Sequence, residues 1–213
     1  MTTFSVTKNG IPLDPRLYTW NENTKTFSTI VDGLVLDFAG IIGVTFKTGY
    51  NCTFYTGNSC TFNTDSSCTF NTGSNCIFNT GSECTFKTGF SCTFKTSSHC
   101  TFKTGTDCTF NTGHSCTFYT GSNCTFETGS YCTFNTGYSC TFNTGFNCVF
   151  ITGSDCTFKT EYKCTFHTGY SCIFEVGKNC SLIRYDVSGV TEIPANKKIK
   201  LNGVGIDGYN IEG

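Results

Sequence analysis

The chain has 213 residues, with 14 Lys and Arg balanced by 15 Asp and Glu, and it carries 22 Phe, 23 Gly and 17 Cys. A net charge of −1 speaks against nucleic acid as a partner, because phosphate recognition needs a basic stripe. No stretch approaches the ~20 apolar residues of a membrane span, and the opening MTTFSVTKNG has no apolar signal segment, so secretion by a signal peptide is not expected.

Residues 1–43 are non-repetitive and read as an N-terminal β cap and lead-in. Asn9-Gly10 predicts a hairpin between Phe4–Thr7 and Ile11–Leu13. Tyr18–Trp20 is expected to pair with Thr26–Ser28 across Asn21–Thr24, and Trp20, the only tryptophan, to lie over the first rung. The stretch LDFAGIIG places Phe38 one octad before Phe46 and predicts that the Phe column begins there.

From 44 to 184 one octapeptide returns without insertion or deletion, as in CTFYTGNS at Cys52 and CTFNTDSS at Cys60. Such a period is the mark of a repeat architecture. Counting Cys as position one, position three is Phe throughout, at Phe46, Phe54, Phe62, Phe70, Phe78, Phe86, Phe94, Phe102, Phe110, Phe118, Phe126, Phe134, Phe142, Phe150, Phe158, Phe166 and Phe174. Position four accepts Tyr55, Asn63, Lys87, Glu127, Ile151 and His167, as only a solvent-facing site would. Strands alternate faces with period two, so Cys, Phe and the Thr at position five point inward while positions two and four point out. Gly and two small or polar residues follow, a composition suited to a turn needing positive φ. Each octad is thus expected to be a five-residue strand and a corner.

A lone short strand cannot bury its Phe, whereas in-register stacking pairs every backbone group and hides every ring. The expected fold is all-β: a parallel β-solenoid of octapeptide repeats, with small β caps at both ends. Asp65, Ser97 and Glu161, which replace the corner Gly, are separated by multiples of sixteen and favour two octads per coil. Ile77, Val149 and Ile173, which replace the outward Thr, are separated by multiples of 24 and favour three. Packing prefers two, because three Phe converging on one axis from such short sides would crowd. On a two-faced coil Lys87, Lys95 and Lys103 alternate between faces and form a solvated surface rather than a binding strip.

Residues 185–213 follow a break at Arg184-Tyr185-Asp186. Asn202-Gly203 predicts a second hairpin, flanked by Ile199 and Leu201 before it and Val204 and Ile206 after it. This segment is a C-terminal cap or an assembly module.

The cysteines are Cys52, Cys60, Cys68, Cys76, Cys84, Cys92, Cys100, Cys108, Cys116, Cys124, Cys132, Cys140, Cys148, Cys156, Cys164, Cys172 and Cys180. An odd number without a secretion signal favours reduced core thiols over a partial disulfide ladder or a metal role. The C-x-x-C spacing of zinc sites is absent, and His99, His114 and His167 do not recur in register. No metal, cofactor or catalytic residue is expected. Glu83, Asp107, Glu127, Asp155 and Glu161 occupy scattered octad positions and offer no repeated acid–base pair. Asn51, Asn123 and Asn179 begin glycosylation sequons that arise from register alone.

This repeat, with its short β lead-in and IKLNGVGIDGY tail, resembles the cysteine-rich octapeptide-repeat proteins of giant DNA viruses of the mimivirus kind, over about Leu36 to Gly213. The resemblance implies a solenoid and a structural protein of the virion or of a viral factory in the host cytoplasm, alongside other virion proteins. Val44 and Val176 depart from the pattern at the ends of the repeat. The expected role is a heat-resistant, non-enzymatic structural rod that self-associates, with a dimer favoured. Phe90, Tyr138, Phe146, Tyr162 and Tyr170, all at corners, are the candidate interface. The alternatives are a surface adhesin or carbohydrate-binding rod that uses the same aromatics, and an ice-binding solenoid, against which the broken outward Thr array argues.

Overall fold

The structure, a computed structural model, describes residues 4–212. They fall into two compact units, Met1–Cys108 and Thr109–Gly213, and each is an all-β parallel solenoid. In the first unit, Thr53–Thr56, Thr69–Asn71, Thr85–Lys87 and Thr101–Lys103 build one parallel sheet. Thr45–Thr48, Thr61–Thr64, Ile77–Asn79 and Thr93–Lys95 build the other. The second unit repeats this with Thr117–Tyr119, Thr133–Asn135, Val149–Ile151, Thr165–Thr168 and Ser181–Arg184 in one sheet. Its facing sheet holds Thr109–Thr112, Thr125–Thr128, Thr141–Thr144, Thr157–Thr160 and Ile173–Val176. Paired Phe residues such as Phe62 and Phe78 are sixteen residues apart, so a coil is two octads and the 24-residue alternative falls. Lys87 pairs with Lys103 in one sheet while Lys95 lies in the other, the alternation expected of two faces.

The Phe rings explain why two sheets suffice. Rings one coil apart lie parallel, with centroids 4.8 Å apart for Phe62 and Phe78. Rings from facing sheets meet edge to face, as Phe70 and Phe78 do at 5.2 Å and 75°. Each ring therefore makes both favourable aromatic geometries at once, and in both units every repeat Phe from Phe46 to Phe174 is buried.

Two local expectations are corrected. The strands hold three or four residues, positions two to five, and Cys stands just before each strand. The positive φ falls not on the corner Gly but on position eight, from Asn51 through Tyr131 and Lys163 to Asn179. Gly is needed at position six where a side-chain oxygen of the coil beneath stands close to it. A Cβ on Gly73 would lie 1.9 Å from Asn58 Oδ1, and one on Gly81 would lie 2.2 Å from Ser66 Oγ. Those same oxygens accept the next backbone N–H: Ser74 N–H donates to Asn58 at 2.9 Å and Ser82 N–H to Ser66 at 2.9 Å. Side chains at position eight point to solvent, so the left-handed conformation is borne there by ordinary residues, most often Ser and Asn.

The N-terminal cap pairs Ser5–Lys8 with Ile11–Pro12 through Asn9-Gly10, both at positive φ, as the hairpin signal predicts. Thr19–Asn21 pairs with Thr26–Ser28, also as expected. Parallel pairing starts earlier than the octads do, since Phe27 stands opposite Phe46. The Phe column continues into Leu36, opposite Phe54, and Phe38 stands instead opposite Thr56. This corrects the expectation for Phe38: the corner at Ala39–Gly43 is two residues too long for a sixteen-residue coil and shifts the register. Phe38 then anchors the cap, stacked on Phe4 at 4.3 Å with Trp20 at 5.8 Å.

At the other end, Val190–Glu192 closes one sheet antiparallel to Ser181–Arg184. Lys198–Leu201 closes the facing sheet against Ile173–Val176 and buries Ile199 over Phe174. The second hairpin differs from its sequence expectation. The partner of Lys198–Leu201 is Tyr209–Glu212, and Val204 and Ile206 are exposed in the loop between them. Arg184 is the cause: its guanidinium donates to Gly203 O at 3.0 Å and Ile206 O at 2.8 Å, which holds the loop open beyond a two-residue turn.

Candidate functional site

Sixteen-residue coils give each unit two corners. The substitutions Asp65, Ser97 and Glu161 all lie on the corner that runs from the strands of the Phe46-type sheet, whereas the opposite corner keeps Gly at Gly57, Gly73, Gly89 and Gly105 and again at Gly121, Gly137, Gly153 and Gly169. Several aromatic corner residues share a contact that the octad alone does not reveal. The N–H of Phe90 donates to Ser74 Oγ at 3.1 Å, that of Tyr138 to Ser122 Oγ at 3.1 Å, and that of Phe146 to Ser130 Oγ at 3.1 Å. Tyr50 N–H uses Asp32 Oδ1 in the same way, at 2.9 Å. A small acceptor on the preceding coil thus satisfies the corner N–H and leaves the ring free to turn outward.

Of the five candidate interface residues, the structure brings together Phe146 and Tyr162, whose rings stack with centroids 4.9 Å apart and planes 1° apart. It adds Tyr131, edge-on to Phe146 at 5.2 Å and 57% exposed. Tyr131 escapes the sequence reading because it sits at position eight of its octad, whereas Phe146 and Tyr162 sit at position seven; only coil stacking makes them neighbours. Tyr138 and Tyr170 lie on the other corner of this unit with Ser154 on the coil between them. Phe90 is a corner residue of the first unit and is half exposed. Beside the Tyr131–Phe146–Tyr162 cluster runs a cleft of about 640 Å³, walled by Glu127, Ser130, Asn143, Phe146 and Glu161.

A larger cleft, about 740 Å³, opens in the first unit where the cap meets the coils, lined among others by Arg16, Tyr18, Lys47, Tyr50, Asn63 and Asp65. Its charged groups are of both signs, and Tyr50 and Asp65 are departures from the octad. The outward faces are mixed. In one sheet of the first unit Thr53, Thr69, Thr85 and Thr101 align, but the column beside them is Tyr55, Asn71, Lys87 and Lys103.

All seventeen cysteines are buried. The sulfurs hang under the corners within reach of backbone carbonyls, as Cys92 lies 3.5 Å from Phe90 O and 3.7 Å from Gly73 O. Cysteines one coil apart are neighbours in a column, and Cys140 N–H lies 3.4 Å from Cys156 Sγ. Contact with Cys68 draws the Cys52 thiol down to about 7, whereas its contacts with Cys52 and Cys84, together with burial, push Cys68 up. Cys60, drawn down to about 6 by contact with Cys76, and Cys76, pushed up by Cys60 and Cys92, repeat the pattern. Among the described residues no group of three or more His, Cys, Asp and Glu is placed to hold a metal ion. Glu83 and Asp107 stand at corners, Glu83 accepting from Ser67 Oγ at 3.3 Å and Asp107 from Thr106 Oγ1 at 2.8 Å.

The chain matches no family model, no curated protein and no solved structure.

Proposed function

We propose that the protein is a non-enzymatic structural element that associates with copies of itself through the corner formed by Tyr131, Phe146 and Tyr162. The supporting observation is that three aromatic rings, two of them stacked face to face, stand on adjacent coils, with the N–H of Phe146 satisfied by Ser130 Oγ. Contiguous exposed apolar surface of this kind usually marks a contact site, and rings are efficient anchors because they bury much area for few rotatable bonds. The sheet ends support a finite assembly rather than open growth. Each sheet's terminal coil is covered by antiparallel strands, and Pro12 sits on one outermost edge, where it removes a donor. A closed dimer is the favoured state. The resemblance of the repeat to octapeptide proteins of giant DNA viruses supports a virion or a viral factory as the setting.

Light scattering of the full chain, beside a variant carrying Tyr131→Ser, Phe146→Ser and Tyr162→Ser, is the test. The parent should associate and the variant should be monomeric at unchanged thermal stability. A parent that stays monomeric at high concentration removes this reading. The cleft near Tyr50 favours a second one, carbohydrate binding, since a ring beside Lys47, Asn63 and Asp65 offers a sugar both a stacking face and hydrogen-bonding groups. A glycan array would separate the two.

A further inference from the structure

The cleft at Tyr50 does not end at the cap. Asp65, which lines it, also lines a second cleft of about 570 Å³ together with Asn79, Thr80, Lys95 and Ser97, so in the first unit the two join as one groove along a single edge of the coils. One wall is a column of outward residues: Lys47 stands opposite Asn63, Asn63 opposite Asn79 and Asn79 opposite Lys95. Asn79 Nδ2 donates to Asn63 Oδ1 at 3.2 Å and ties the column together across two coils. The other wall is the corner, and two of the three residues that replace its Gly, Asp65 and Ser97, fall in this groove. Thr48, Thr64, Thr80 and Thr96 form the floor.

These walls restrict what can lie between them. The rungs repeat in register every 4.8 Å, as the Phe rings of the same sheet show, which suits a linear polymer of short repeat. The backbone is already paired, Thr80 N–H with Lys95 O at 3.1 Å and Gly81 N–H with Asp65 O at 3.4 Å. A peptide therefore cannot join here as a strand, and recognition falls to side chains. Lys47 and Lys95 are matched by Asp32 and Asp65, and Arg16 is paired with Asp14. Balanced charge speaks against a polyanion. An uncharged polymer that brings hydroxyl donors and acceptors on every unit, and a flat ring face at one end, fits all three conditions.

We propose, on the carbohydrate reading of the Tyr50 cleft, that the whole groove from Tyr50 to Lys95 binds one extended, uncharged, β-linked polysaccharide. The Tyr50 ring, 51% exposed, is the stacking platform at one end, where its own N–H is already satisfied by Asp32 Oδ1 at 2.9 Å. Asn63, Asn79 and Lys95 are the hydrogen-bonding rungs that follow it, one to a coil. β-Linked pyranose chains run extended, and one ring with its linkage is about as long as one rung. Chains of α-linked glucose curl and leave a groove of fixed register after a few rings.

Isothermal titration of the full chain with cello-, xylo-, manno- and chito-oligosaccharides, each as disaccharide and as hexasaccharide, is the test. In at least one series the hexasaccharide should bind about tenfold tighter than its disaccharide, the gain expected of one or two added hydrogen bonds. Asn79 and Lys95 are exposed, so the double variant Asn79→Ala, Lys95→Ala should keep the parent's melting temperature and disaccharide affinity while losing that gain. Tyr50→Ala should weaken both lengths. Equal affinity for the two lengths, or a gain that survives the double variant, would overturn the extended groove and leave the Tyr50 cleft alone as the sugar site. Silence from every series would remove both. Tighter binding of heparin, fading with added salt, would overturn the choice of an uncharged chain.

Discussion

Thr168 and Arg184 hold the same inward position on successive coils and stand opposite each other in one sheet, yet they show two ways of stabilising this chain. Thr168 is fully buried and turns its hydroxyl to Gly169 O at 3.2 Å, as its counterparts do on most coils. With another rung on either side, a residue there must fit between copies of itself. Arg184 has no further octad above it. It is 4% exposed, pairs with Asp186 at 2.7 Å and donates to the carbonyls of Gly203 and Ile206. Asp186 in turn accepts from Gly205 N–H at 2.8 Å. In the rungs the same weak contact is made many times; in the cap one ion pair and its hydrogen bonds take the place of the missing coil.

The sharpest way to break this comparison is within the rungs. Phe142 stacks on Phe126 and Phe158 and meets Phe134 and Phe150 edge-on. Phe142→Ala should cost about 3–5 kcal/mol in chemical denaturation; a loss under about 1 kcal/mol would show that the ring columns are not the core. Arg184→Met should cost less, about 2–3 kcal/mol, because it removes the guanidinium from Ile206 O, Gly203 O and the partly exposed Asp186 carboxylate. Its damage should stay local: amide exchange should quicken at Leu201 and Tyr209 but not at Phe142.

Gly73→Ala comes next, with about 1–3 kcal/mol of strain, since its Cβ would meet the Asn58 oxygen at 1.9 Å. Gly105→Ala should cost less, because the nearest atoms there stand at 3.1 Å. A pair of midpoints in the reverse order would discredit the close-approach account of the corner glycines. The smallest effect is that of acid. The Arg184 guanidinium, helped by Gly205 N–H, holds the Asp186 carboxyl below the ordinary carboxylate value. A depressed folded pKa means that this stabilisation is complete above the ordinary carboxylate range and fades as pH falls through the folded value. Exchange in the loop around Gly205 should therefore rise below about pH 4 while the rungs stay protected, and Asp186→Asn should abolish that dependence.

The repeat made much of this legible in advance. An invariant Phe beside a position that takes Tyr55, Lys87 or Ile151 can only be a strand with one face buried, and Asp65, Ser97 and Glu161 carry the sixteen-residue coil in their spacing. Asn9-Gly10 sets its hairpin because both residues tolerate positive φ. The readings that changed were those that depended on a neighbour from another coil. Phe38 left the Phe column because a longer corner slid the register, and the Asn202-Gly203 turn widened because Arg184 reaches across to its carbonyls. Tyr131 joined Phe146 and Tyr162 through stacking that no linear spacing advertises.

By itself, then, the sequence determined the all-β solenoid, its period and its inward columns of Phe, Cys and Thr, because period-two burial and an eight-residue repeat leave no other way to hide so many rings. Tertiary structure alone decided where the left-handed residue falls in each corner, why Gly stands one place away from it, and which aromatics share a surface. Those are matters of what lies one coil away in space, and the atoms that decide them, Asn58 Oδ1 beneath Gly73 or Ser130 Oγ beneath Phe146, are sixteen residues distant in the chain.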